Sequence, residues 1–155
     1  MNTPPPPSSP DAEDEKPHPL DPRIVNALDE LGISYQSDPE AIFYMLVDFN
    51  DNRSQQVCIR SRTLEFLGVE MREIFSVGLI SEGVFDARTS NFLLRENLQK
   101  NLGAWAVVHS NETQTAIYTA KVSSSLPPRM LFEILVHVAE TADGVEHRLS
   151  GLDEF

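Results

Sequence analysis

The amino-acid sequence predicts an α+β fold with the element order α-β-β-β-α-β-β-α, in which three helices accompany a mostly antiparallel five-stranded sheet. Apolar residues recur at helical spacing near both ends of the folded region and once in its middle, and runs rich in β-branched and aromatic residues lie between them. Short polar turns join several of these runs, and such connections suit antiparallel neighbours. The 155 residues are enough for one domain with its own hydrophobic core.

The first helix is predicted where the folded region begins. Asp21 suits the N-cap position and Pro22 suits the first helical position. Gly32 supplies the left-handed conformation that commonly ends a helix. Between them, four apolar residues share one face at the spacings i, i+3, i+4 and i+7: Ile24, Ala27, Leu28 and Leu31. We therefore predict a short amphipathic helix.

Three strand-like runs follow this helix. Residues 41–49 are rich in β-branched and aromatic side chains, residues 50–53 are turn-forming types, and residues 54–60 resume the strand pattern, so we predict a hairpin. The stretch 61–69 is ambiguous, because it fits either a continued strand or a half-turn. Residues 71–80 are predicted to form the third strand.

A second helix is predicted in the middle of the chain. Asp86, Thr89 or Ser90 could each cap its start, because each has a side-chain oxygen that accepts a backbone N–H. Its apolar residues include Phe92. Gly103 is its predicted end.

A second hairpin and a closing helix complete the predicted fold. Residues 103–110 and 113–122 form the hairpin around a turn at Asn111, and Pro127 and Pro128 mark the entry to the helix. The apolar residues of the closing helix recur at helical spacing: Met130, Leu131, Ile134, Leu135, Val138, Ala142, Val145 and Leu149.

Trp105, the only tryptophan, lies in this second hairpin. Strand alternation places it on the same face as Val107, and Tyr118 on the returning strand is positioned to pair with it. Both a core position and an interface position suit Trp105, because tryptophan is enriched at interface hot spots as well as in cores.

The chain divides into one domain and two tails. Residues 1–19 are rich in proline and acidic residues and nearly free of large apolar side chains, so they cannot bury enough surface to offset the entropy of ordering. We predict a disordered tail there, with a polyproline ligand for an aromatic groove as the alternative. Residues 20–150 form the predicted domain, and residues 151–155 a short acidic C-terminal tail.

The charge of the chain excludes several classes of partner. Lys and Arg number 12 against 24 Asp and Glu, so the formal net charge is −12. A protein that binds nucleic acid needs a basic stripe to neutralise phosphates, and a protein that binds an anionic membrane needs a similar basic surface. No apolar run approaches the length of a membrane span, and no signal-peptide pattern opens the chain. We therefore predict a cytoplasmic protein with no nucleic-acid partner, no membrane insertion and a basic or apolar protein partner.

No catalytic or cofactor motif is present in the sequence, and we predict neither an enzyme nor a cofactor. The single Cys58 excludes an internal disulfide and is read as a small buried side chain. An alternative is a small metal-binding enzyme or sensor that uses Glu133, His137 and Glu140, because these residues share one face of the closing helix.

The order of elements resembles the type III secretion chaperones and the related YbjN-type proteins over about residues 20–150. The resemblance is carried above all by "FLLRENLQKNLGAWAVVHSNETQTAIYTAKV" followed by "LPPRMLFEILVHVAETADGVEHRL", in which Ala139 and Glu140 match an Ala-Glu pair of the family's closing helix. The opening helix "IVNALDELGISY" and the strand "AIFYMLVDFN" are also similar to the family.

This resemblance implies a non-enzymatic homodimer that holds a segment of a client protein on apolar surface, as a secretion chaperone or as an assembly chaperone, for example of a carboxysome shell. The client-binding residues that it implies lie on the opening helix and the first strands: Ile24, Leu28, Phe43 and Met45. The dimer interface that it implies lies between residues 92 and 107: Phe92, Leu93, Trp105 and Val107. Sheet-edge addition and helix-in-groove docking of the client are both open.

Overall fold

The computed structural model describes residues 17–150, and for Ser150 the backbone alone. Most of the predicted N-terminal tail and the predicted tail 151–155 therefore lie outside the described residues. The helices are α1 (Pro22–Leu31), α2 (Ala87–Asn97) and α3 (Pro128–Ser150). The strands are β1 (Gln36–Ser37), β2 (Ile42–Asp48), β3 (Ser54–Phe66), β4 (Val69–Glu82), β5 (Ala104–Ser110) and β6 (Thr113–Ser123).

The predicted α+β class is confirmed, but the described sheet has six strands and not five. Its order is β1-β2-β3-β4-β6-β5, and neighbouring strands are antiparallel throughout. The additional strand β1 is a polar pair of residues without a periodic signal. It forms because the Asp38 carboxylate accepts the Ile42 N–H at 2.9 Å and the Tyr44 hydroxyl at 2.5 Å, which closes a tight turn against β2.

Two helix starts follow the predicted capping chemistry. The Asp21 carboxylate accepts the Arg23 N–H at 2.8 Å, and Gly32 ends α1 with a φ of 67°. At α2, Asp86 is the N-cap among the three candidates, since its side chain accepts the Thr89 N–H at 2.7 Å.

The predicted end of α2 at Gly103 is wrong. The helix ends at Asn97, and Leu98 follows as the C-cap in an ordinary right-handed conformation. Gly103 has a φ of 80° and leads the chain into β5, where a Cβ atom would lie 2.7 Å from the Thr119 carbonyl oxygen. The glycine therefore permits a close approach of two strands and does not end the helix.

The ambiguous stretch 61–69 continues β3 to Phe66 and turns directly into β4. The two turn residues, Leu67 and Gly68, have φ values of 51° and 78°, the left-handed pair that a two-residue hairpin turn requires. A leucine at the first of these positions carries the steric cost that the left-handed region imposes on a side chain with a Cβ.

We expect Leu67→Asn to raise the free energy of unfolding by about 1 kcal/mol, because asparagine tolerates the left-handed region and the Leu67 side chain is 87 % exposed. Urea denaturation of both proteins measures the change. Leu98→Asn is the control, since Leu98 is equally exposed but has a φ of −63°. A Leu67→Asn protein no more stable than the wild type would contradict the expectation.

All three helices contribute side chains to the core, which lies on one face of the sheet. Strand residues that face it include Phe43, Ile59, Ile74, Tyr118 and Val122, while Leu28, Leu93 and Leu135 are among those that meet them from the helices. Strand alternation sends the intervening residues to the opposite side. We call that side the open face and define it by these residues: Tyr44, Leu46, Cys58, Arg60, Glu73, Phe75, Val77, Ile80, Ala104, Ala106, Val108, Thr115, Ile117, Thr119 and Lys121.

Candidate functional site

The four side chains predicted to bind a client lie in the core. Ile24 and Leu28 belong to the buried face of α1, and Phe43 and Met45 to the buried face of β2. In the protomer these side chains pack against other core residues, and their contact with a client stays a prediction. An apolar stripe signals burial, and burial inside the domain satisfies it as well as a partner does.

The four residues predicted to form a dimer interface differ in how far they are buried within the protomer. Leu93 and Trp105 are buried in the core, and Phe92 is half-buried, with the Arg148 guanidinium 5.3 Å from its ring centre. Val107 alone is clearly exposed, at 46 %. Three of these side chains are therefore used mainly within the protomer.

Trp105 occupies the core position that alternation allowed. It pairs with Tyr118 across the hairpin, with ring centroids 5.5 Å apart, as the register of β5 and β6 requires. Its backbone is held from the other side by Asn97, whose Oδ1 accepts the Trp105 N–H at 2.7 Å. The end of α2 thus occupies the outer edge of β5 at this residue, a contact without a sequence signal.

The proposed metal-binding face of α3 does not assemble a site. Glu133 and Glu140 are exposed, whereas the Nε2 atom of His137 is buried and its ring packs against Tyr118 with centroids 6.1 Å apart. Across residues 17–150, no group of three His, Cys, Asp or Glu side chains is arranged to hold a metal ion.

Cys58 lies on the open face and is buried there. Burial raises the pKa of its thiol to about 12, while the nearby Arg60 acts in the opposite direction. Because the nucleophile is the thiolate, a thiol with so high a pKa is unreactive at neutral pH.

A surface groove of about 420 Å³ lies between β2 and α3. We call it the β2–α3 groove. Its lining is mostly apolar and comes from the loop before β1, from β2 and the turn after it, from β3 and from one face of α3. The lining residues are Ile33, Met45, Leu46, Val47, Asp48, Phe49, Asn50, Val57, Phe132, Leu135, Val136 and Glu140.

The groove has an apolar floor and an acidic rim. Met45, Val57 and Leu135 are buried at its base, and Phe132 is 42 % exposed. The charged residues that line it, Asp48 and Glu140, are both acidic and both exposed. This chemistry suits a segment that carries apolar side chains together with lysine or arginine.

The groove lies beside an unpaired strand edge. Within the described residues, β1 pairs with β2 only at Phe43 and Tyr44, so the stretch 45–48 has a strand neighbour on its β3 side alone. Backbone groups at such an edge can accept an added strand, and alternate side chains of that strand then point to one face. An extended segment beside β2 would direct alternate side chains into the groove.

The sequence contains a weak signal for this groove, which the predictions above do not include. Phe132 and Val136 stand at the spacing i, i+4 directly beside the core stripe of α3, so they widen its apolar face beyond what the sheet covers. Met45, predicted as a client contact, does reach the groove, but as part of its buried floor.

Among residues 17–150, no helix combines the length and the apolar content that crossing a membrane requires. Comparison with known proteins assigns no relationship: neither a protein-family model nor a curated protein matches this chain.

Proposed function

We propose that this protein is a non-enzymatic protein-binding module, chaperone- or assembly-factor-like, that holds an extended segment of a client protein in the β2–α3 groove. The observation that carries the proposal is the coincidence of an acid-rimmed apolar groove with the unpaired edge of β2. Strand addition explains both features, because main-chain hydrogen bonds supply affinity and the groove receives alternate side chains.

The charge of the chain supports the same type of client. A net charge of −12 attracts basic segments and speeds their encounter with the protein, and the two acids at the groove place that attraction at the binding site. The proposed client segment therefore alternates apolar and basic residues. Helix-in-groove docking is less well supported, since it leaves the edge of β2 unused.

Three further expectations belong to this proposal. We propose that the protein acts as a homodimer in the cytoplasm, and that its fold is of the type III secretion chaperone or YbjN type. The resemblance of residues 20–150 to those families supports this, and so does the α+β arrangement of three helices and an antiparallel sheet.

We expect the protein to bind a short labelled peptide of alternating valine and lysine, measured by fluorescence anisotropy. Glu140→Lys should weaken that binding about tenfold, because it reverses a charge at the groove rim. Glu133→Lys is the matched control: it makes the same change on the same helix, at an exposed residue that does not line the groove.

The proposal fails if the valine–lysine peptide does not bind, or if a peptide of alternating valine and glutamate binds equally well. Equal losses in Glu140→Lys and Glu133→Lys would also contradict it, because the effect would then come from net charge and not from the groove.

A further inference from the structure

The open face of the sheet presents apolar side chains that no helix covers among the described residues. Ile80 is 70 % exposed and Val108 is 47 % exposed, and Thr115 joins them in one row across β4, β6 and β5. A second row joins Val77 and Ala106, which are half-buried, with Ile117, which is 8 % exposed. Exposed apolar side chains such as Ile80 and Val108, set beside this row, mark an interaction site.

The charged side chains on this face include an ion pair, and their charges are nearly balanced. Arg60 is paired with Glu73 at 2.7 Å, and its guanidinium lies over the Phe75 ring, 4.9 Å from the ring centroid. Lys121 stands opposite Glu73 on β6. Around Glu73 the open face therefore carries two cations and one anion, and strand alternation adds Asp48 and Glu82 near its ends, although the whole chain has a net charge of −12.

This local balance favours a second copy of the chain as the occupant. Two strongly acidic molecules repel one another over most of their surfaces, and they approach most easily where acids are not in excess. The middle of the open face, around Glu73, meets that condition, and each copy offers the other both signs of charge beside apolar side chains.

The dimensions of the face are sufficient for a stable pair. Five strands about 4.8 Å apart, and the eight residues 73–80 at about 3.3 Å each, give a patch of roughly 600 Å² per copy. A pair would bury about 1,200 Å², the lower bound of the standard range for specific complexes.

We propose that the protein forms a two-fold symmetric homodimer through its open faces, with the two sheets packed face to face. The inference deepens the proposed homodimer and does not depend on peptide binding in the β2–α3 groove, which shares Leu46 alone with the residues that define the open face. It assigns the interface to a different face from the region between residues 92 and 107, where Leu93 and Trp105 are buried within the protomer.

The test is light scattering of the full chain, whose mass is 17.4 kDa as a monomer. We expect the wild type to have twice that mass. The double variant Ile80→Glu/Val108→Glu should have the monomer mass, because it places acids in the apolar part of both copies. Both residues are exposed, so circular dichroism and the melting profile should show a folded protein.

The control is Leu94→Glu/Leu98→Glu, which adds the same charges at exposed positions of α2 and its C-cap and should remain a dimer. A monomeric wild type overturns the proposal, as does a dimer that survives Ile80→Glu/Val108→Glu. Loss of the dimer in both double variants also overturns it. The valine–lysine peptide separates this proposal from the proposed function: it should bind to the monomeric face variant as tightly as to the wild type, whereas Glu140→Lys should bind it about tenfold more weakly and remain a dimer.

Discussion

We expect Asp21→Ala to lower the free energy of unfolding by about 3–5 kcal/mol, because it leaves the Arg72 guanidinium buried without its carboxylate. Arg72 Nη2 lies 2.6 Å from Asp21 Oδ2, and the two side chains are only 4 % and 10 % exposed. Arg72 also donates to the backbone oxygens of Arg60 and Ser61, so it cannot turn towards water without breaking those hydrogen bonds as well.

This ion pair joins the start of α1 to the sheet. Asp21 is the N-cap of the helix, and its carboxylate accepts from Arg23 and Arg72 together. Arg23 in turn binds the Glu70 carboxylate at 2.7 Å, and that interaction lowers the pKa of Glu70 to about 2. The capping position predicted from sequence is therefore also a tertiary contact.

Urea denaturation followed by circular dichroism measures the loss. Asp51→Ala is the control, since it removes a carboxylate from an exposed pair with Arg53, 2.6 Å apart, which should cost at most about 1 kcal/mol. An Asp21→Ala protein that unfolds at the same urea concentration as Asp51→Ala would refute the assigned role of the buried pair.

The same pair predicts a dependence on pH. The hydrogen bond from Arg23 is the main cause that holds the pKa of Asp21 well below its usual range, and the hydrogen bond from Arg72 acts in the same direction. A carboxyl with a lowered folded-state pKa stabilises the protein above its unfolded-state pKa, and this stabilisation is lost as the pH falls towards the folded-state value. We expect the stability difference between wild type and Asp21→Asn to be constant near neutral pH and to shrink below about pH 4.

The second large effect is expected at Trp105. Trp105→Ala should cost about 3–5 kcal/mol, because it removes a buried indole that packs against Tyr118 and over Gly78. A Cβ atom at Gly78 would lie 2.4 Å from Cη2 and 2.6 Å from Cζ3 of the indole. Gly78→Ala should therefore cost about 1–3 kcal/mol by overpacking.

A double-mutant cycle tests whether the two positions share one space. In Trp105→Ala/Gly78→Ala the added methyl no longer meets the indole, so the double variant should be more stable than the sum of the single losses predicts. Circular dichroism is the appropriate signal, since fluorescence would lose its only tryptophan. Strictly additive losses would contradict the contact.

Gly144→Ala is the control for the glycine substitution. Gly144 lies inside α3, and a Cβ atom there would meet nothing within 4 Å. Alanine is favoured over glycine in a helix interior by about 1 kcal/mol, so this variant should be more stable than the wild type. A destabilised Gly144→Ala would show that the loss at Gly78 does not report the indole specifically.

Local chemistry explains which predictions from sequence were confirmed. The caps Asp21 and Gly32 and the turns near residues 52 and 111 are determined by residues only a few positions apart. The prediction at Gly103 failed for the opposite reason: its left-handed conformation serves the approach to Thr119, which is distant in sequence.

Residue types along the chain suffice to predict the α+β class, the three helices, the antiparallel hairpins and the pairing of Trp105 with Tyr118, because capping, turn formation and strand alternation are local. Which apolar residues lie outside the core depends instead on how the helices pack on the sheet. Ile24 and Phe43 have the same apolar character as Phe132 and Ile80, but the helices cover the first two and leave the others at the surface. Exposure depends on where α3 crosses the sheet and how far β1 extends along β2, and neither follows from the spacing of residues along the chain.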